Sequence, residues 1–281
     1  MDNTNLRLAV LIDADNVPGS SIKAIMEEVA IYGTPTMKRI YGDWTNPFIS
    51  GWKASLLENA IVPIQQYAYT TGKNSTDSAM IIDAMDILYS GNVDGFVLVS
   101  SDSDFTRLAI RLREAGMLVI GIGEKKTPSP FIVACNKFIY IEVIRSKFNK
   151  PAKRPQNVRR RSDVRQPEIV KPAEQSAKQE PEQETKPASI DTRGDRKQIP
   201  PEIVELIAES VDDLTDDDDG VFMGELGTLL LKKQPDFDTR NFGFRTLTAM
   251  IKSIDRFEVE LRQTSDPHIK HPYVRDKEAS E

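Results

Sequence analysis

Three short stretches gather carboxylates and small polar groups: LIDADN at Leu11–Asn16, KNSTD at Lys73–Asp77 and SSDSD at Ser100–Asp104. Asp13, Asp77, Asp102 and Asp104 together make an acidic edge that repels phosphate unless cations intervene. Hard oxygen donors of this kind hold Mg²⁺ or Mn²⁺. Such ions would clamp a scissile phosphate and lower the pKa of a bound water for in-line attack. Asn16 suits orienting a ligand or substrate better than gripping an ion, and Lys73 could meet a non-bridging phosphate oxygen. Each carboxylate also has a plainer reading. Thr76 or Asp77 and Asp102 or Ser103 could cap helices, and Asp104 would be favoured by a helix dipole. Asp15 is either a ligand or a surface carboxylate. Asp83, six residues beyond Asp77 on the same helix, points about 120° away and is a weaker candidate.

The elements that must position these residues follow from apolar patterning. Leu6–Ile12, Thr36–Gly42, Val62–Tyr69, Gly95–Ser100 and Met117–Gly123 read as strands, with a short edge strand at Phe138–Glu142. Ser75–Tyr89 and Phe105–Ala115 have helical spacing; on the former, Met80, Ile81, Ala84 and Leu88 are core. Strands without polar alternation, separated by helix-length segments, imply a mostly parallel sheet covered on both faces. The expected fold class is an α/β/α sandwich. LIDADN and SSDSD would then end the first and fourth strands at one sheet edge. Where a doubly wound sheet reverses its order, those strands are neighbours and the clusters face one crevice.

Beyond residue 145 the composition changes. RSKFNKPAKRPQNVRRRSDVR (145–165) carries nine cations, among them Arg159, Arg160 and Arg161, against Asp163 alone. It passes into a Pro/Glu/Gln-rich stretch with almost no large apolar residue, the composition of a disordered linker. The basic part could contact a phosphate backbone. Helical patterning returns near Ile199: a helix after Pro200–Pro201, a second over FMGELGTLLLKK, a turn-rich PDFDTRNFGF, a third over RTLTAMIKSI and a strand at RFEVELR. This is a small, mainly helical module of winged-helix size, a class that binds nucleic acid or protein. Lys232, Lys233, Arg240, Arg245 and Lys252 could give it a positive face. The expected division is 1–145, a linker at 146–197, the second domain at 198–265 and a flexible tail at 266–281.

Bulk properties bound the function. A chain of 281 residues with 39% apolar content can bury real cores. Its net charge of −6 argues against a wholly polycationic surface while leaving local basic patches open. The single cysteine, Cys135, excludes an intramolecular disulfide, and its expected role is a small buried hydrophobe. With no cationic leader before an apolar run and no apolar run of spanning length, a cytoplasmic protein without a membrane is expected. GIGEKKTP lacks the spacing of a phosphate-binding loop, and His268 and His271 lie far along the chain from the first carboxylates. Trp44, Trp52, Phe48, Tyr67 and Tyr69 give aromatic density around the second and third strands, read first as core packing, although some could stack a base.

LIDADN, KNSTD and LVSSDSDFTRLAIRLREAG, in that order over residues 5–144, resemble the NYN branch of the PIN-like nucleases in its bacterial LabA-like group. That resemblance implies a PIN-like fold and RNA cleavage with Mg²⁺ or Mn²⁺. It maps the family's acidic pocket onto Asp13, Asp77, Asp102 and Asp104, with Asn16 beside them. VFMGELGTLLLKKQPDFDTRNFGFRTLTAMIKSI resembles the OST-HTH or LOTUS module, with PDFDTRNFG its most distinctive part; that resemblance implies RNA binding, or in some eukaryotic members a protein partner. A homodimer is compatible with the sequence. The leading expectation is a metal-dependent ribonuclease with an RNA-binding module. The alternatives are a non-catalytic RNA-binding adaptor and, because Asp13-x-Asp15 resembles the nucleophile and acid of haloacid-dehalogenase phosphatases, a phosphatase.

Overall fold

The computed structural model describes residues 6–45, 52–67, 75–148, 199–215, 220–263 and 270–278. Lys73, Arg159, Arg160 and Arg161, residues 149–197 of the expected linker, Phe48, Tyr69 and His268 lie outside those residues.

Six parallel strands form the first sheet: β1 (Arg7–Asp13), β2 (Thr34–Gly42), β3 (Val62–Gln65), β4 (Gly95–Val99), β5 (Leu118–Gly123) and β6 (Lys137–Tyr140). Their order is β3-β2-β1-β4-β5-β6. The helices between them are α1 (Ile22–Val29), α2 (Trp52–Asn59), α3 (Ser75–Ser90), α4 (Thr106–Glu114), α5 (Ser129–Ala134) and α6 (Ile141–Phe148). Alternation along β1 shows why the sheet is sandwiched. Leu8, Val10 and Ile12 face one core with Ile22 and Ile25 of α1, Trp52 of α2 and Ile144 of α6. Ala9 and Leu11 face the other with Met80 of α3, Leu108 and Leu112 of α4 and Phe131 of α5. Both faces must be apolar because both are covered, so the strand reads as an unbroken hydrophobic run.

The chain winds outward through β2 and β3, then α3 carries it back past β1 to β4. β1 and β4 are therefore neighbours, with Ile12 opposite Val99. Their carboxyl ends flank the point where the order reverses, the position at which open α/β sheets bind ligands. At the opposite edge, Arg7 clamps the pair by donating two side-chain hydrogen bonds to Asp94, at 3.0 and 2.9 Å. The expected edge strand is shorter than anticipated, since Ile141 already begins α6; Ile144 is fully buried, so the first domain's core reaches almost to residue 145, while α6 itself continues to Phe148.

Residues 199 onward build α7 (Pro201–Asp212), β7 (Val221–Phe222), α8 (Met223–Lys233), α9 (Leu247–Ile251), β8 (Phe257–Gln263) and β9 (Lys270–Asp276). Pro201 occupies the first helical position of α7, where its missing N–H costs nothing. The Thr246 hydroxyl accepts the Ala249 amide at 3.2 Å and starts α9, which is shorter than the predicted third helix. Ile207, Leu226, Leu230, Met250, Phe257 and Val274 form the core. The expectation of a tail beyond residue 265 is corrected: β9 pairs antiparallel with both β7 and β8 and is the middle strand of the sheet. Val274 and Asp276 are buried, and Arg256 donates to both Asp276 oxygens. The result is a helical module with a β wing.

Candidate metal centre

Asp13 is the last residue of β1 and is 1% exposed. A carboxylate at that depth needs donors for its lone pairs, and it has them. Oδ1 accepts the Asp15 amide at 3.0 Å, while Oδ2 accepts the Asn16 side-chain amide at 2.6 Å and the Ser100 hydroxyl at 2.9 Å. Ser100 in turn accepts the Asp102 amide at 3.1 Å. One hydroxyl therefore links the exit of β4 to the exit of β1. The next residue performs a similar task on the other side, because Ser101 Oγ accepts the Glu124 amide beyond β5 at 2.8 Å.

After these serines the chain leaves the sheet. Asp102 is extended and caps a 3-10 turn at Ser103–Phe105, its Oδ1 accepting the Asp104 amide at 2.9 Å. α4 follows at once, anchored by the fully buried Phe105. Asp77 arrives from the first turn of α3. Asp77, Asp102 and Asp104 each offer a carboxylate oxygen lying within 4.8 Å of the others; the first two are half-buried and Asp104 is exposed.

This is a set of hard donors with a charge deficit. Partial burial pushes the Asp77 carboxyl up from 3.8 to about 6, and the negative charges of Asp13, Asp102, Asp104 and Asp15 add to the rise. A divalent cation among the three carboxylates would relieve that repulsion, so the residues present fit Mg²⁺ or Mn²⁺. Asp13 contributes through its field and its hydrogen bonds and is not one of the three clustered carboxylates. Asn16 bonds to Asp13 and fixes its orientation. Asp15 is exposed at the same strand exit. Asp83 does not join the cluster: it pairs with Arg39 and accepts from the Tyr41 hydroxyl, tying α3 to β2.

Ser100 was missed by sequence reasoning. Its signal was present, a hydroxyl between an apolar strand and a carboxylate pair, but two neighbouring serines and several capping patterns made it indistinct. Cys135 is fully buried as expected, with its thiol pushed up to about 12 by burial. His271 lies in β9 and stacks on Phe222 at 5.1 Å, within the second domain. Of the cations expected to give that domain a positive face, Lys233 pairs with Asp213 and Arg240 pairs with Asp238 and Glu28. No helix among the described residues is long and apolar enough to cross a membrane.

Comparison with known proteins agrees with this architecture. Residues 7–142 match the NYN domain family and residues 196–269 the OST-HTH/LOTUS domain family. Comparison with curated proteins finds no match. Similar solved structures include a protein of unknown function from Vibrio parahaemolyticus, 18% identical, covering 50% of this chain and 96% of its own with a TM-score of 0.43. An uncharacterized protein from Nitrosomonas europaea is 29% identical, covering 34% of this chain and 90% of its own, with a TM-score of 0.28. A segment (175–257) of a Chromobacterium violaceum protein is 22% identical, covering 29% of this chain and 84% of its own, with a TM-score of 0.23.

Proposed function

From a chain that carries an NYN domain at residues 7–142 and an OST-HTH/LOTUS domain at residues 196–269, we propose a cytoplasmic, divalent-metal-dependent ribonuclease whose second domain holds RNA. The observation that carries this reading is the convergence of the Asp77, Asp102 and Asp104 carboxylates within 4.8 Å at the switch point of the NYN sheet. Those three side chains would hold Mg²⁺ or Mn²⁺. When bound, the ion supplies Lewis acidity toward a phosphodiester and lowers the pKa of water.

The chain's own residues contribute position and charge. Asp13 adds negative field from beneath the cluster, and its orientation is set by Asn16 and Ser100. Ser100 also fixes the Asp102 backbone, so the β1 and β4 carboxylates keep one spacing. Asp77 holds a proton below about pH 6 and gives it up above that pH. The phosphatase alternative is poorly served, because Asp13 would have to attack as a nucleophile while 1% exposed and hydrogen-bonded through both oxygens.

The test is cleavage of structured and single-stranded RNAs with Mn²⁺ or Mg²⁺ by the purified full-length protein and its Asp102→Asn and Asp77→Asn variants. Metal-dependent cleavage that falls at least about a hundredfold in both variants supports the reading. Cleavage unchanged in the variants, or none across the panel, overturns it. Tight RNA binding without cleavage would favour the adaptor reading instead.

A further inference from the structure

We infer that the Pro235–Arg240 segment is a docking element that locks the second domain onto the β6 edge and the end of α1 in the first. PDFDTR leaves α8 and turns toward the first domain, and three of its residues meet that domain directly. The Pro235 carbonyl accepts the Phe138 amide at 2.9 Å. Phe138 lies in β6, the outermost strand, whose edge would otherwise present open backbone groups. Asp236 Oδ2 accepts the Tyr140 hydroxyl at 2.7 Å, two residues along the same strand. Arg240 then reaches Glu28 of α1 at 2.7 Å, while Asp238 holds the same guanidinium at 2.6 Å.

Glu28 is the most informative of these residues. It is 2% exposed, and a carboxylate at that depth is retained where a countercharge meets it. That countercharge comes from the other domain. Lys137 and Tyr32 border the same place, with the Lys137 ammonium 5.6 Å from the Tyr32 ring centre. Three residues within one six-residue stretch of the second domain thus meet a strand edge, a phenol and a buried carboxylate of the first. Both domains fall in one compact unit, Met1–Lys150 with Lys197–Glu281.

The assignment removes Arg240 from the group of cations available to RNA and gives the most distinctive stretch of the second domain an intramolecular task. It also fixes where that domain stands. Tyr140 is at the carboxyl end of β6, two strand spacings from β4, or about 10 Å. The second domain is therefore held on the β6 side of the first by its own seat rather than only by the chain between the domains. This holds whether or not the rim cleaves RNA.

The experiment places a site-specific protease sequence between residues 170 and 185 of the full-length protein and cuts it after folding. The two halves are then followed by gel filtration at micromolar concentration. Co-elution of the cut wild-type halves is expected, with separation in Arg240→Glu and renewed co-elution in the paired reversal Glu28→Arg/Arg240→Glu. Separation of the wild-type halves, or co-elution of the Arg240→Glu halves, overturns the dock. Amide exchange in the uncut protein gives a local readout that also serves if the reversal variants fold poorly. The Phe138 amide should exchange about tenfold faster in the mild Tyr140→Phe variant than in wild type while β4 amides stay unchanged. Equal exchange at Phe138 in the two proteins counts against the assignment.

Discussion

The Ser100 hydroxyl touches two chain segments that carry the acidic rim, donating to Asp13 and accepting from the Asp102 amide. Removing it in Ser100→Ala leaves a buried carboxylate oxygen with one donor fewer and frees the start of the Asp102 cap. The expected cost is about 1–2 kcal/mol of stability. Groups that orient ligands typically change affinity more than that, so Mn²⁺ binding by calorimetry should weaken roughly 10–100-fold. Asp77 gives a second test. Its carboxyl is raised from 3.8 to about 6 in the folded protein, so the stability it contributes is fully present below 3.8 and lost as pH rises through about 6. In metal-free thermal melts across that window, Asp77→Asn should flatten the wild type's decline. Mn²⁺ should reverse the trend by competing with the proton, and its affinity should fall below about pH 6.

At the scale of elements, the site depends on how closely β4 and β5 approach. Gly123 ends β5, and a Cβ placed there would come within 2.6 Å of the Ser100 carbonyl and 2.7 Å of the Thr127 hydroxyl. The backbone contact cannot yield without moving the exit of β4. Gly123→Ala is therefore expected to cost about 1–3 kcal/mol by overpacking, read as a lower midpoint in urea. It should also weaken Mn²⁺ binding although it changes no charge. A loss of stability with unaltered metal affinity would show that the rim tolerates displacement of its supporting strand. Asp83 illustrates the same scale from the other side: about one and two-thirds turns beyond Asp77, it serves the α3–β2 contact through Arg39 and Tyr41 rather than the rim.

For the molecule as a whole, the second domain depends on its last strand. Truncation after Ser265 removes β9 and with it Val274, the Asp276 partner of Arg256 and the pairing of both β7 and β8. Losing the middle strand should unfold the second domain while the first keeps its two cores. Hydrogen exchange would show this as lost protection at Leu226 and Leu230 with retained protection at Val97 and Leu98. Retained protection at Leu226 would mean that the helices of the second domain hold together without the wing.

Much of the first domain was legible because its information is local. Unbroken apolar runs set the buried parallel strands, helical spacing set α3 and α4, and the order of segments placed Asp13 and Asp102 at the exits of strands that would meet. The second domain's helices were legible for the same reason, as were the two families they resemble. β9 was hidden because KHPYVRD is largely polar and contains Pro272, which argues against a central strand. β7 pairs only with Tyr273 and Val274, so the proline lies where that side of the ladder is open. The burial of Glu28 was equally hidden, since its cation comes from Arg240, more than two hundred residues away. Sequence by itself determined the elements and the residue types at their ends, because periodicity and composition act over a few residues. Tertiary structure decided which carboxylates share a rim, which serine joins them and where the second domain rests, because those outcomes depend on contacts between segments distant in the chain.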